Sequence, residues 1–409
     1  MRKYHIWQLS TAILLAIFII LSFDLITNRI EEIQGHAWDF VYYQDIAQNG
    51  LAGNNHLVSP YAYRYLTMLI ARWLMLSLQL SMATAFKYLT YFGAFFQLMG
   101  IYALSRELKF RHTTSLALML VIAFSLFHIK FLLFDMYRPD HLAYPLLILA
   151  LIAFLRRKYV LCALISAIGL QMREMLIIPP AICLFYLLLD WRENKSDAKI
   201  YLQASAILII TALAVILPRK LIPVVFTQQH LDPLNDPKSI LILLSNPLNL
   251  KRNINIFFAL SAYALPLWLI TTRTRIAETW QRIKPLQPAL IIYTILMLFL
   301  TMYGGADIDR FVTYLFIPLI LFVGHIINNH AHPLETIFML IATLLFNKIL
   351  LPFPIWDFYA YLDFYGGYGD RVNDETLKRF GEILSFILIA ILWRQALQPN
   401  AKKQDRLQP

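Results

Sequence analysis

The chain has 409 residues, of which 59% are hydrophobic and 15% charged, with a mean hydropathy of +0.58. So few charges cannot cover the surface of one water-soluble globule of that length, and the same composition excludes a coiled coil, collagen or a disordered chain. The formal net charge of +11 is carried by basic residues in short stretches between apolar runs, a distribution that sets membrane topology and does not point to nucleic acid.

Apolar stretches bounded by charge predict transmembrane helices over residues 6–26, 82–104, 113–134, 141–155, 159–172 and 175–189, then over 200–217, 254–270, 289–303, 311–327, 335–350 and 380–394. The expected fold class is all-α: one polytopic integral membrane domain over residues 1–409, with about twelve transmembrane helices. Residues 6–26 follow Met1-Arg2-Lys3 without a small-residue cleavage site, which predicts a retained span and a cytoplasmic N terminus. Arg106, Lys109, Arg111, the Arg156-Arg157-Lys158 triple, Arg192, Lys195, Arg273, Arg282 and Lys402 then fall on the cytoplasmic side, as the positive-inside rule requires of an inner or plasma membrane protein. Both termini are expected there. The opposite side collects Asp39, Asp45, Asp135, Asp140, Glu174, Asp307 and Asp309.

Residues 61–80 are apolar enough to cross but contain Arg64 and Arg72, and a crossing would place the Arg156-Arg157-Lys158 triple outside. They are expected to form in-plane amphipathic helix within the first extracytoplasmic loop, 27–81. The other long outer loops are 218–253 and 351–379. Cys162 and Cys183 lie inside apolar runs and read as inert core residues. Lys87, Lys130 and Lys348 sit in or near span ends and read as snorkelling side chains.

Ionisable groups at the edge of the hydrocarbon are costly, so acids and arginines gathered there are functional candidates. In the first outer loop, helix over 39–48 puts Tyr42, Tyr43 and Ile46 on the face of Asp39 and turns Asp45 about 240° away. Asp140 ends the next outer turn, Arg173-Glu174 precede Pro179-Pro180 at a break between short apolar runs, and Asp309-Arg310 stand at the mouth of a late helix. A carboxylate that accepts a proton from a hydroxyl, with arginines that hold an anion at headgroup depth, suits sugar transfer from a lipid phosphate. Each residue also has a plain structural reading. Asp39 and Asp140 can cap helices, Arg64 can snorkel, Arg173-Glu174 can pair with each other, and Arg310 can pair with Asp307 or Asp309. The aromatic run from Trp356 to Tyr368 divides between an interfacial belt and a sugar platform. His330 and His332 lack a nearby acid and read as solvated loop. There is no P-loop, dinucleotide glycine motif or serine nucleophile elbow. No motif requires a metal or cofactor; Asp39 and Asp140 could share a divalent cation, but no spacing demands one.

The chain resembles the C-type glycosyltransferase superfamily of multispanning membrane enzymes. The resemblance rests on Trp38-Asp39 with Tyr42-Tyr43 and Ile46-Ala47 before Gly50, on Pro60-Tyr61 and Arg64, on Arg173-Glu174 before Pro179, and on Arg310-Phe311 before Pro318. It implies an inverting transfer from a polyprenyl-phosphate-linked sugar to a glycan or glycolipid hydroxyl on the extracytoplasmic face. Asp39 is then the base, Asp140 a second acid, Arg64, Arg173 and Arg310 the groups for the donor phosphate, and Tyr42, Tyr43, Glu174 and Asp309 substrate contacts. Phe40 stands where the protein mannosyltransferase branch has a second acid, which points away from protein as acceptor. The rival expectations are a polysaccharide polymerase or ligase, and a non-enzymatic transporter or flippase of a lipid-linked sugar.

Overall fold

The structure, a computed structural model, describes residues 2–30, 39–193, 197–225, 237–304, 308–354, 364 and 372–404. The described residues are helical, with no strand among them. In chain order the helices are α1 (Arg2–Ile26), α2 (Phe40–Asn49), α3 (Leu66–Leu78), α4 (Met82–Glu107), α5 (His112–Ala123), α6 (Ile129–Phe134), α7 (Asp140–Leu155), α8 (Tyr159–Leu170) and α9 (Ile178–Glu193). They continue as α10 (Ala198–Leu221), α11 (Pro237–Ser245), α12 (Leu250–Trp268), α13 (Arg273–Arg282), α14 (Gln287–Tyr303), α15 (Ile308–Asn329), α16 (Pro333–Phe346) and α17 (Asp374–Gln404).

Every apolar run expected to span is mainly helical. Among the described residues five segments are long and apolar enough to cross a membrane: Ile6–Ile26, Glu174–Glu193, Ala198–Leu221, Lys284–Tyr303 and Arg310–Asn329. A sixth arises if α12 and α13, bent by 96° at their junction, count as one broken span. The remaining apolar helices, such as α5, α7, α8 and α16, are shorter. A helix of α5's length covers only about 18 Å of the roughly 30 Å hydrocarbon core. Large apolar side chains of α1 and α10, among them Leu14, Phe18, Leu25, Leu202 and Leu208, point outward. Such faces suit lipid, as in an integral membrane protein.

The core is built on α4, which packs against α1, α5 and α7, while α7 packs on α8, α8 on α10, and α15 on α12 and α14. Two glycines allow α4 to approach α7. A Cβ at Gly93 would fall 2.3 Å from the His141 carbonyl oxygen, and one at Gly100 would fall 3.2 Å from a methyl of Ile148. Small residues let helices approach closely where no water drives them together.

The run 113–134 is interrupted between α5 and α6, and the interruption is buried in protein. Gln97 Nε2 donates to His128 Nδ1 at 2.7 Å, and the His128 ring is walled by Tyr144, Tyr263 and Phe316. Non-helical backbone at such depth survives only where protein surrounds it. Lys130 does not snorkel. Its fully buried ammonium donates to the carbonyls of Lys348, at 3.1 Å, and Leu351, tying down the turn that follows α16.

In the first loop, α2 and α3 are joined through a 3-10 turn, Tyr61–Arg64. α3 buries Thr67, Met68 and Ala71 and exposes Trp73, Leu76 and Leu78, an amphipathic pattern. Arg72 donates to the carbonyls of Ala47 and Gln48, tying α3 to the end of α2. The segment is also fastened to the far end of α10, where the Val225 N–H donates to the Leu57 carbonyl at 2.7 Å.

Candidate functional site

Asp39 occupies the N-cap position of α2, yet its side chain makes no capping hydrogen bond. Its Oδ1 instead accepts from the Tyr61 hydroxyl at 3.0 Å, and its Oδ2 faces Arg138 Nη1 at 3.5 Å and Arg310 Nη2 at 3.8 Å. The helical register predicted for 39–48 holds. Tyr42 stacks on Tyr61 at 4.6 Å and Tyr43 meets the same ring edge-on at 5.5 Å. Asp45 is turned away, where Asn49 and Asn54 each donate to it at 2.7 Å.

Arg64 closes the 3-10 turn and does not snorkel. It gives Nε and Nη2 to the two Glu174 oxygens at 3.2 and 2.8 Å, and Nη1 to the Tyr43 hydroxyl at 3.1 Å. This forked pairing is the strong form of an arginine–carboxylate contact.

Arg173 and Glu174 lie at the break between α8 and α9, where the Gly169 carbonyl accepts from the N–H groups of both Met172 and Arg173 at 2.8 Å. A Cβ at Gly169 would fall 1.9 Å from a terminal methyl of Leu176, so a larger residue there would require that side chain to shift. The backbone at Arg173 is extended, with φ −151° and ψ 134°, and neighbouring side chains in extended backbone point to opposite sides. Arg173 and Glu174 therefore do not pair with each other. Arg173 Nε and Nη2 grip Asp140 at 2.8 and 2.5 Å, while Glu174 reaches Arg64.

Asp140 begins α7, and its carboxylate is buried with three partners. Besides Arg173 it accepts from the Tyr314 hydroxyl at 3.1 Å and stands 3.6 Å from Arg310 Nη1. Arg310, near the start of α15, thus lies between Asp39 and Asp140. The Asp309 side chain and Asp307 lie outside the described residues. So does the aromatic run 356–368 apart from Phe364, whose ring lies 6.0 Å from Phe353.

The turn between α6 and α7 adds Arg138, which the sequence did not single out, paired with the outer-loop acid Asp135. Arg138 Nε donates to Asp135, and both side chains are buried. Tyr61 and Tyr314 were likewise not marked as site residues. Tyr314 follows Arg310 by one helical turn, and Arg138 shares a five-residue turn with an acid; these spacings are the only local signals. The site thus gathers four carboxylates and four guanidiniums: Asp39, Asp135, Asp140, Arg138, Arg173 and Arg310 form one connected set of ion pairs, and Arg64 pairs with Glu174 beside it.

Access is uneven. The side chains of Asp39 and Glu174 are 31% and 45% exposed, whereas Arg138, Asp140, Arg173 and Arg310 are at most 5% exposed, so reagents meet the two acids first. Burial pushes the Asp39 carboxyl up, but the Arg138 and Arg310 guanidiniums and the Tyr61 hydroxyl together hold it below its ordinary value. Burial raises Asp135 in spite of Arg138. The Tyr61 phenol is pushed up by burial and by the Asp39 charge.

Among the described residues no three His, Cys, Asp or Glu side chains converge as a metal site. His330 Nδ1 stands 3.4 Å from Glu278, and His332 Nδ1 accepts from the Leu334 N–H to cap α16. A scan against protein-family models and a search of curated proteins found no match to this chain.

Proposed function

We propose that the chain is an integral membrane glycosyltransferase of the C type. It transfers a sugar from a polyprenyl-phosphate-linked donor to a hydroxyl of a glycan or glycolipid, with inversion, at the extracytoplasmic boundary. In this reading the twelve apolar runs all cross the membrane, with tilt, broken helices and locally thin lipid accommodating the short ones.

The observation that carries the proposal is Asp39, an accessible carboxylate oriented by Tyr61 and flanked by two arginines. The acceptor oxygen attacks the anomeric carbon while its proton passes to Asp39. The bond from that carbon to the phosphate oxygen breaks on the opposite face, and its electron pair leaves with the polyprenyl phosphate. Arg310 stabilises that charge as it develops, and Arg64, held by Glu174 and Tyr43, adds its positive charge from its fixed position. Arg173 has given Nε and Nη2 to Asp140, so these two residues brace Arg310 from behind. The stacked Tyr42–Tyr61 pair offers a face for a sugar ring, and Tyr43 positions Arg64. A depressed pKa makes Asp39 a weak base at rest. The negative charge of a bound donor phosphate offsets that of Arg138 and Arg310 and so raises that basicity when the base is needed.

A second reading, translocation of a lipid-linked sugar, is favoured by His128 and Gln97, polar groups buried in the bundle at an interrupted helix. The test is release of polyprenyl phosphate from a panel of labelled polyprenyl-phosphate sugars by purified protein, beside Asp39→Asn with an unchanged melting temperature. Turnover by the parent and a loss of at least about 100-fold in the variant is the expected result, the scale of a general base. No turnover with any donor, even with membrane extract as acceptor, moves the assignment to translocation. Turnover that survives the substitution keeps an enzyme without this base, as in a polymerase or ligase.

A further inference from the structure

A second charged cluster lies outside the Asp39 network, on the seam between α1 and α4. Asp24 stands in the last turn of α1, Arg29 follows that helix, and Lys87 and Tyr91 are one turn apart on α4. The Tyr91 hydroxyl donates to Asp24 Oδ2 at 2.6 Å, and Arg29 Nη2 pairs with Asp24 Oδ1. Arg29 Nη1 donates to the Leu133 carbonyl at 3.2 Å, so its guanidinium is held on three sides. Lys87 is placed differently. Its Nζ stands 3.9 Å from Asp24, beyond hydrogen-bond reach, and 5.6 Å from the Tyr91 ring, with the side chain 41% exposed. Two cations thus share one carboxylate, and the ammonium of the more exposed one is available to an incoming anion.

Below Lys87 the surface is apolar. Tyr88, Phe92 and Phe96 project from α4 at four-residue spacing, and Phe18, Leu21 and Leu25 project from α1. Phe92 and Phe96 lie against each other at 4.3 Å. Such a surface accepts hydrocarbon chains, and the cationic cap at its end accepts a phosphate.

We propose that Lys87, supported by Arg29 and Tyr91, binds the phosphate of an anionic glycerophospholipid whose acyl chains lie along the Tyr88–Phe92–Phe96 face. The site is anchored to the charge network through the chain between them. The Ile30 N–H donates to the Phe134 carbonyl at 2.9 Å, immediately before Asp135. A lipid headgroup bound here therefore fixes the height of the bilayer surface relative to Asp39. Lipid retention at Lys87 needs no catalytic activity, so its failure and that of the transferase reading are separable.

The experiment is native mass spectrometry of the full chain released from mixed micelles containing phosphatidylglycerol, phosphatidylcholine or polyprenyl phosphate. Retention of phosphatidylglycerol over phosphatidylcholine by about fivefold, near the worth of one basic residue at an anionic surface, is expected. Lys87→Gln should abolish that preference, while Lys158→Gln, in the turn between α7 and α8, should retain it. Equal retention of the two phospholipids, a preference unchanged in Lys87→Gln, or stronger retention of polyprenyl phosphate than of phosphatidylglycerol each overturns the assignment.

Discussion

Asp39 sits between opposing influences: its burial disfavours a charge that Arg138 and Arg310 favour. The arginines win, so the carboxylate persists at pH values where an ordinary one has taken up a proton. In the proposed transfer, the acid limb of kcat/KM then lies below the usual carboxylate range, and the profile is flat through pH 5. Arg138→Gln removes one favourable charge and moves that limb to higher pH, while Arg138→Lys keeps the charge and leaves the limb near its parent position. A limb that stays put in Arg138→Gln would separate Arg138 from the chemistry. The glutamine variant also strands buried Asp135, at a cost of about 3–5 kcal/mol, so the lysine variant controls for instability. The same sign governs stability: the contribution of Asp39 is present above its unfolded pKa and is lost as pH falls through the depressed folded value. At this scale the sequence showed which residue types stand at the ends of apolar runs, and Asp39, Arg64, Asp140, Arg173, Glu174 and Arg310 do converge. It did not show the pairing. Arg173 and Glu174 are neighbours in the chain, but an extended residue sends one to Asp140 and the other to Arg64, and no local pattern encodes partners more than thirty positions away.

The contact between α4 and α7 governs where Asp140 is held. At Gly93 a methyl group would meet backbone, which cannot swing aside, whereas at Gly100 it would meet a side-chain methyl that can. Gly93→Ala is therefore expected to destabilise the fold by roughly 1–3 kcal/mol, and Gly100→Ala by less. Unfolding in a graded denaturant series checks the order. Equal effects would mean that α7 is not pressed against α4 at His141. Helix placement was legible because apolar runs bounded by charge leave little choice of element. The interruption between α5 and α6 was not, since residues 124–128 contain neither Pro nor Gly and the break is stabilised by Gln97 and three aromatic rings from other helices. Helix lengths were also shorter than a uniform bilayer predicts, because polar turns end α7 and α8 after 16 and 12 residues and the buried break ends α5 after 12.

For the whole molecule, the distribution of basic residues predicts sidedness, and α3 decides the count. In the proposed twelve-span topology, an in-plane α3 leaves three crossings between the first loop and the Arg156-Arg157-Lys158 turn, so the two face opposite sides. If α3 crosses, they face the same side. Cys162 and Cys183 are fully buried, so an impermeant thiol reagent should report only on introduced cysteines. Asn55→Cys is expected to be labelled from the extracytoplasmic side and Arg157→Cys from the cytoplasmic side. Labelling of both from one side would make α3 a span.

The position of Arg310 has a consequence for how charge moves during the proposed transfer. One guanidinium stands 3.8 Å from Asp39 and 3.6 Å from Asp140. As Asp39 takes the acceptor's proton it loses its negative charge, and at the same moment the departing phosphate gains one. A fixed cation beside both sees charge withdrawn on one flank and delivered on the other, so the field it experiences changes direction more than size. Little solvent has to reorganise around it. The negative charge lost at Asp39 equals the one gained by the phosphate, so this internal hand-over leaves the total charge of the site unchanged until product and proton depart.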